Sequence, residues 1–357
     1  MPKSAPQSVL KPEPVPPFEI GGHSIAPGTS QTIDIPVSRL STHTEINLSV
    51  RVIHGRKPGP VLFVSGGVHG DEIIGVEIIR RLLKSVSPKR IAGTLLCIPI
   101  VNAYGFIARE RYLPDRRDLN RCFPGAARGS LASQLAHHFT EQIIKRSDFG
   151  IDLHSAGLHR TNLPQIRISE GRPRAELLAQ LFGAPAIITS PLREGSLRQT
   201  AADHDCDILL LEAGEALRFD ELGIRVGVKG ILRVMADLDM NVPYQKDPAA
   251  RSIQSKRSKW LRAPEGGIFR AAKKTGAFAT TDEIVGTISD PFGMDDIYVR
   301  TPIPGLIIGA SMLPVVNQGD ALIHIAEVQV PGTAEDRLSA LEDAAYTDPL
   351  FDEDEIV

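Results

Sequence analysis

The run Gly66-Gly67-Val68-His69-Gly70-Asp71-Glu72 carries the most concentrated chemistry in the chain. His69 and Glu72 are three residues apart, so a turn or the first turn of a helix can aim both side chains at one point. The neighbouring glycines let the backbone pass close to a bound ion or substrate. A second histidine, in Asp152-Leu153-His154, ends another short apolar run. His69, Glu72 and His154 together form a two-histidine, one-carboxylate set. Such a set holds zinc and leaves one position open for water, as catalytic zinc requires. Each piece also has a structural reading. Asp71 and Glu72 suit the positive N-terminal end of a following helix, and His154 alone suits a satisfied core histidine. Two such segments, each at the end of an apolar run, favour the metal.

The flanking patterns supply strands and helices to hold those residues. Ile46, Leu48, Val50 and Val52 alternate with polar residues, which predicts a strand with one buried face within residues 32–53. Pro60 to Ser65 is a short apolar run suited to a strand buried on both faces. Asp71 to Val86 follows with Ile74, Ile78, Leu82 and Val86 at steps of four, an amphipathic helix. Further strands are predicted at Thr94–Val101, with Pro99 marking its end, and at Phe149–Leu153, Ala186–Ser190 and Asp207–Leu211. Helices are predicted at Ser130–Arg146, Ala175–Phe182 and Leu222–Leu238. Strands alternating with helices imply an α/β layer fold with a mostly parallel or mixed sheet. In such folds ligands gather at loops beyond the carboxyl ends of the strands, where His69 and His154 fall.

Four motifs stand in order along the chain: His69-Gly-Asp-Glu72, Asp118-Leu-Asn120-Arg121-Cys-Phe-Pro-Gly125, Asp152-Leu-His154 and Glu212-Ala-Gly214. Together they resemble the succinylglutamate desuccinylase/aspartoacylase family, which is related to the zinc carboxypeptidases. The resemblance implies a carboxypeptidase-like catalytic half followed by a small β domain. It implies one zinc per chain on His69, Glu72 and His154. Asn120 and Arg121 would grip a substrate carboxylate, Arg111 would stabilise the oxyanion, and Glu212 would be the general base. Arg109, Arg116 and Arg117 compete with Arg111, Glu215 competes with Glu212, and Asp115 or Asp118 could claim Arg121 internally. Chemistry supports the assignments. Zinc makes water a nucleophile near neutral pH; a carboxylate at a strand end can shuttle its proton; and arginine offers a planar fork for a carboxylate that lysine would not reproduce.

The implied activity is hydrolysis of the amide of an N-acyl amino acid or a similar small carboxylate-bearing compound. A metallocarboxypeptidase acting on short peptides is the alternative, and a non-catalytic metal-binding regulator is a third reading. Elsewhere, His137 and His138 are adjacent on a helix and diverge by about 100°, and His204-Asp205-Cys206 lacks a zinc-like spacing. His159 is near enough to His154 to face the substrate, and Cys122 has no paired base.

The rest of the 357 residues divides by texture. Residues 1–30 read as a Pro-rich, flexible lead-in, 31–243 as the catalytic domain and 244–259 as a polar linker. Residues 260–330 form a small all-β, barrel-sandwich-like domain with Gly/Pro turns. It resembles biotinyl and lipoyl carrier domains, but its Asp290–Asp296 turn lacks the lysine a carrier needs. Residues 331–357 form an acidic tail, with nine acidic residues and one basic residue from Glu335 onward. The formal net charge of -3 gives no electrostatic reason to bind nucleic acid or an anionic membrane. No apolar run reaches the roughly 18 residues of a membrane span. With three cysteines, a disulfide scaffold is not expected and a reducing cytoplasm is the simplest location. A homo-oligomer is compatible with all of this.

Overall fold

A computed structural model describes residues 15–242, 244, 252–328 and 339. The centre is four parallel neighbours: β10 (Asp207–Glu215), β7 (Phe149–Ala156), β5 (Lys57–Gly66) and β6 (Ala92–Ile98). The apolar runs at Pro60–Ser65, Thr94–Val101 and Asp207–Leu211 fall on β5, β6 and β10 and the short strand expected at Phe149–Leu153 on β7, and every residue of β6 and β7 is buried. On one flank β4 (Glu45–His54) and β3 (Thr29–Arg39) continue the sheet antiparallel. On the other, β8 (Arg160–Ile168) runs antiparallel to β10. Helices α1 (Ile74–Ser85), α4 (Pro173–Phe182) and α6 (Glu221–Asp237) bury their apolar sides against one face, sharing a core that includes Leu62, Ile78 and Leu211. Helices α3 (Leu131–Gln142) and α5 (Leu197–Asp203) cover the other, around Phe63 and Phe139. The short helix α2 (Ala103–Ala108) lies between β6 and α3 in sequence.

Arg81 of α1 spans two carboxylates, Glu77 at 2.8 Å and Glu221 of α6 at 2.8 Å, and so ties the two helices together. Glu77 is held below the ordinary carboxylate range by hydrogen bonds from Arg80 and Arg81. Glu221 is also lowered: burial opposes this, but Arg81 and Arg225 overcome it. A depressed carboxyl pKa stabilises the fold above the unfolded value and loses that contribution as pH falls through the folded value. Arg81→Met is therefore expected to cost about 1 kcal/mol at neutral pH, a modest figure because Glu221 is partly exposed. The deficit should shrink on acidification. Urea melts at pH 7 and pH 3.5 check this; an equal deficit at both would contradict it.

Two segments differ from their sequence expectation. Residues 18–30 are not loose: β1 (Phe18–Ile20) and β2 (His23–Ile25) form a hairpin that buries Ile20 and Ile25, and Thr29 already opens β3. The apolar residues are too few for a visible period, but packing against the α3 side of the sheet fixes them. Residues 253–255, expected in the linker, form β11 (Ile253–Ser255) and pair with β9 (Ala186–Thr189). Residues 1–14 of the lead-in and 245–251 of the linker lie outside the described residues, as does the acidic tail apart from Ser339.

The C-terminal region is antiparallel and all-β. One part is a small sheet of β13 (Gly267–Ala271), β15 (Ile284–Ser289), β16 (Asp296–Arg300) and β18 (Val315–Val316). The other part joins the large sheet. There β17 (Gly305–Ser311) pairs with the first half of β8, followed by β19 (Ala321–Glu327) and β12 (Ser258–Arg262), while β14 (Phe278–Ala279) adds to β17. The second half of β8 pairs with β9. Both halves of its outer edge are thus covered, as an otherwise open edge requires. No helix among the described residues is long and apolar enough to cross a membrane.

Candidate active site

The β5 run ends at Gly66, and Gly67 takes a positive φ of 61°, so the chain turns sharply before α1. Gly70 has no alternative: a Cβ there would lie 1.9 Å from the Gly105 carbonyl carbon, so any side chain would push the loop off α2. This packing holds His69 and Glu72 at 4% and 2% exposure. His154, at 3%, comes from the adjacent β7. Their candidate ligand atoms all lie within 4.8 Å of one another.

The two imidazoles are arranged alike. Nδ1 of His69 and Nδ1 of His154 each lie 2.7 Å from a Glu72 oxygen, Oε1 and Oε2 respectively. Behind each ring a second carboxylate takes Nε2: Asp118 Oδ1 at 3.2 Å for His69, and Asp152 Oδ2 at 2.7 Å for His154. Ser65 Oγ in turn donates to Asp152 at 2.8 Å. A carboxylate that can accept from Nε2–H behind each ring is the usual support for an imidazole whose Nδ1 binds a metal.

The electrostatics follow. Burial would lower the His154 pKa, but Asp152 and Glu72 overcome it and hold it well above the ordinary value. His69 is raised in the same way, against burial, by Glu72 and Asp118. Burial would raise Glu72, yet the two imidazoles hold it well below the carboxylate range. Glu72 and Asp152 are buried and Asp118 is half-buried, so carboxylates surround the two rings, and a cation between the rings would be favoured by them. The donor set, with two nitrogens and a carboxylate converging at the floor of an open cavity, fits a divalent cation such as zinc.

Asp118 also organises the predicted substrate-binding motif. Its Oδ1 accepts from Asn120 N at 2.9 Å, capping the 3-10 turn Leu119–Arg121, while Oδ2 accepts from Arg111 Nη2 at 3.0 Å. Arg111 Nη1 reaches Glu72 Oε1 at 3.1 Å, so this arginine, and not Arg109, Arg116 or Arg117, stands beside the candidate ligands. Asn120 Oδ1 accepts from Leu197 N at 2.9 Å and pins the turn to the start of α5. Arg121 pairs with neither Asp115 nor Asp118; its guanidinium donates to the Asn120 carbonyl and lines the cavity. Glu212, at the end of the apolar run of β10, lines the same cavity, and its Oε2 accepts from Asn162 Nδ2 at 2.9 Å. Glu215 instead faces Arg218 at 3.7 Å.

The structure thus brings all seven predicted site residues around one cavity of about 210 Å³. His159 is not among its lining residues: it sits exposed in the β7–β8 turn, where its carbonyl accepts from Met312 N. His137 and His138 stay on α3, and Cys122 Sγ donates to the Asp118 carbonyl. Sequence reasoning missed Asn162, Arg160, Arg167, Arg193, Arg198 and Trp260, all of which line the cavity. A signal existed for some of them. Asn162, Gln165 and Arg167 are polar residues in one strand, and buried polar groups need partners.

This sheet, its flanking helices and its C-terminal antiparallel β region define an aspartoacylase-like fold, a class of deacylase scaffolds acting on amides. The chain belongs to the succinylglutamate desuccinylase/aspartoacylase family: the profile described as "Succinylglutamate desuccinylase/Aspartoacylase catalytic domain" matches residues 58–238. The chain is 26% identical over 286 residues to an N-alpha-acetyl-L-2,4-diaminobutyric acid deacetylase of Halomonas elongata, covering 76% of this chain and 84% of that one. Among solved structures it resembles a succinylglutamate desuccinylase/aspartoacylase of Rhodobacter sphaeroides, with TM-score 0.74 and 26% identity over 84% of this chain and 96% of that one. In fold it also resembles the product-bound ectoine utilization protein EutE (DoeB) of Ruegeria pomeroyi. There the TM-score is 0.75 at 18% identity, over 84% and 95% of the two chains.

Proposed function

We propose that the protein is a metal-dependent deacylase that hydrolyses the amide bond of an N-acyl amino acid. Zinc would be held by His69, Glu72 and His154. The observation that carries this reading is the meeting of that buried ligand group with Glu212, Arg111 and Asn120–Arg121 around one cavity. When bound, the cation supplies Lewis acidity toward a carbonyl oxygen and lowers the proton affinity of water. Glu212 takes a proton from the attacking water and passes it to the departing nitrogen. Arg111 places a fixed positive charge where an oxyanion develops. Arg121 takes the amino acid carboxylate, and the Asn120 turn holds it in place. The free thiols of Cys97, Cys122 and Cys206 suit the reducing cytoplasm expected for the chain.

The cavity also argues for the charge of the substrate. Six arginines line it, against the two carboxylates Glu72 and Glu212. Arg198 is 8% exposed, and the groups it donates to are neutral: Ser190 Oγ and the Pro191 carbonyl, each at 3.1 Å. Burial, with Arg167 and Arg193 nearby, pushes its guanidinium down to about 10. An anion there offsets that cost, whereas an ammonium adds to it. A substrate with a second carboxylate, on the acyl group or on the amino acid side chain, is therefore favoured. N-acetyl-2,4-diaminobutyrate, which carries an ammonium, should be a poor substrate.

A panel of N-acyl amino acids and dipeptides, assayed with the zinc-loaded protein, tests both points. The expected result is free amino acid released from dianionic members with kcat/KM at least about 100-fold above the diaminobutyrate derivative, roughly 2.7 kcal/mol. Arg198→Met should raise KM for the dianionic substrate by about tenfold, the equivalent of one weakened charge contact. Release only from dipeptides would favour a carboxypeptidase. Equal rates for anionic and cationic members would contradict the charge preference.

A further inference from the structure

The strand that carries Glu212 continues, row by row, into the C-terminal region. Gly214 of β10 stands opposite Asn162 of β8, Asn162 opposite Gly309 of β17, Gly309 opposite His324 of β19, and His324 opposite Trp260 of β12. Asn162 is 8% exposed, and its amide nitrogen makes the 2.9 Å hydrogen bond to Glu212 Oε2. Its amide oxygen lies over Gly309. A Cβ on residue 309 would stand 2.8 Å from Asn162 Oδ1, with the Thr161 carbonyl at 3.3 Å and His324 Cβ at 3.4 Å. Gly309 is not among the residues with positive φ, so the backbone conformation does not demand glycine here. The space taken by the Asn162 carboxamide does. His324 closes the far side of Gly309, fixed by stacking on Trp260 at 4.7 Å and by a 2.9 Å hydrogen bond between its Nε2 and Ser258 Oγ.

We propose that Asn162 is a positioning residue for Glu212, and that Gly309 is the gap that allows Asn162 to hold it. The C-terminal β region thereby contributes to turnover through a backbone position. This rests on Glu212 being the general base. With Oε2 held by Asn162 at 2.9 Å and Oε1 beside Arg167 Nε at 3.7 Å, the carboxylate is kept in one rotational setting for proton transfer. Proton transfer depends steeply on such placement. Crowding by a methyl group at residue 309 would displace the flexible carboxamide first, because the other near neighbours are backbone and Cβ atoms.

The test uses Asn162→Ala, Gly309→Ala and the double variant in the full-length zinc-loaded protein. The readouts are kcat, KM, bound metal and melting temperature. Asn162→Ala should lower kcat by about 10–100-fold, since a misplacement of about 1 Å at the reacting groups can cost about 10²-fold. KM and metal content should change little. Gly309→Ala should reproduce most of that loss in the parent but cost almost nothing further in the Asn162→Ala background, where the clashing amide is gone. Residues that act through one another show this non-additivity. A wild-type kcat for Asn162→Ala overturns the proposal, and so does an equal Gly309→Ala loss in both backgrounds. If Gly309→Ala fails to fold, Asn162→Ala still decides the role of Asn162, since it removes atoms and crowds nothing. Glu212→Gln in the same series separates the two levels. An active Glu212→Gln overturns the base assignment itself, whereas an inactive Glu212→Gln beside an unaffected Asn162→Ala overturns only the positioning.

Discussion

Glu212→Gln is expected to lower kcat by about 10²–10⁴-fold, the usual contribution of a positioned general base. Bound metal and melting temperature should stay at their parent values. The substitution keeps size and shape, and the Gln oxygen can still accept from Asn162, whose amide now contacts Glu212 Oε2 at 2.9 Å. What disappears is the ability to take a proton from water. Glu215→Gln is the matched control. Glu215 directly follows Gly214 on the same strand, but it faces Arg218 at 3.7 Å and lies outside the cavity lining. It should keep turnover close to the parent value, because it lies outside the cavity lining. A steady-state assay with metal analysis of both variants checks the pair; parent-like turnover in Glu212→Gln would remove the base from Glu212.

His154→Ala is expected to abolish measurable turnover and most metal retention. The proposed site has three candidate ligands, all buried, so losing one would leave two donors beside uncompensated carboxylates. Asp152→Asn should be milder, about 10–100-fold in metal affinity, because it only weakens the hold on His154 Nε2 at 2.7 Å. The ranking is the informative part. If Asp152→Asn lost as much metal as His154→Ala, then Asp152 would itself be acting as a ligand. If neither lost metal, the cation would sit elsewhere. Competition with a chelator of known affinity reads these differences independently of turnover.

Much of this arrangement could be read from the chain alone because it is local. A doubly buried strand announces itself as an apolar run, so Pro60–Ser65 and Asp207–Leu211 pointed to β5 and β10. The ligand candidates stand at strand ends, and three residues of spacing suffice to bring His69 and Glu72 together. What could not be read depends on distant partners. Strand β8 is interrupted by Asn162, Pro164, Gln165 and Arg167, which suppress the apolar pattern; it is a strand because β10, β17 and β9 pair with it. Trp260 and Gly309 carry no local mark of an active site. Trp260 lines the cavity and Gly309 stands behind Asn162 only because the C-terminal strands extend the sheet. The cavity arginines were hidden for a related reason. A charged residue is most often simply solvated, and only the closing of α5 and β8 around one cavity distinguishes Arg198 and Arg167 from the rest.

The most direct test is a stoichiometric zinc titration of chelator-stripped protein, followed at each point by the release of free amino acid from a dianionic N-acyl amino acid. Metal-dependent deacylation at His69, Glu72 and His154 predicts no release from the stripped protein and a linear rise that ends at about one zinc per chain, the occupancy of a single three-ligand site. Full hydrolysis by the stripped protein, or none from any member of the panel at full zinc occupancy, would contradict it.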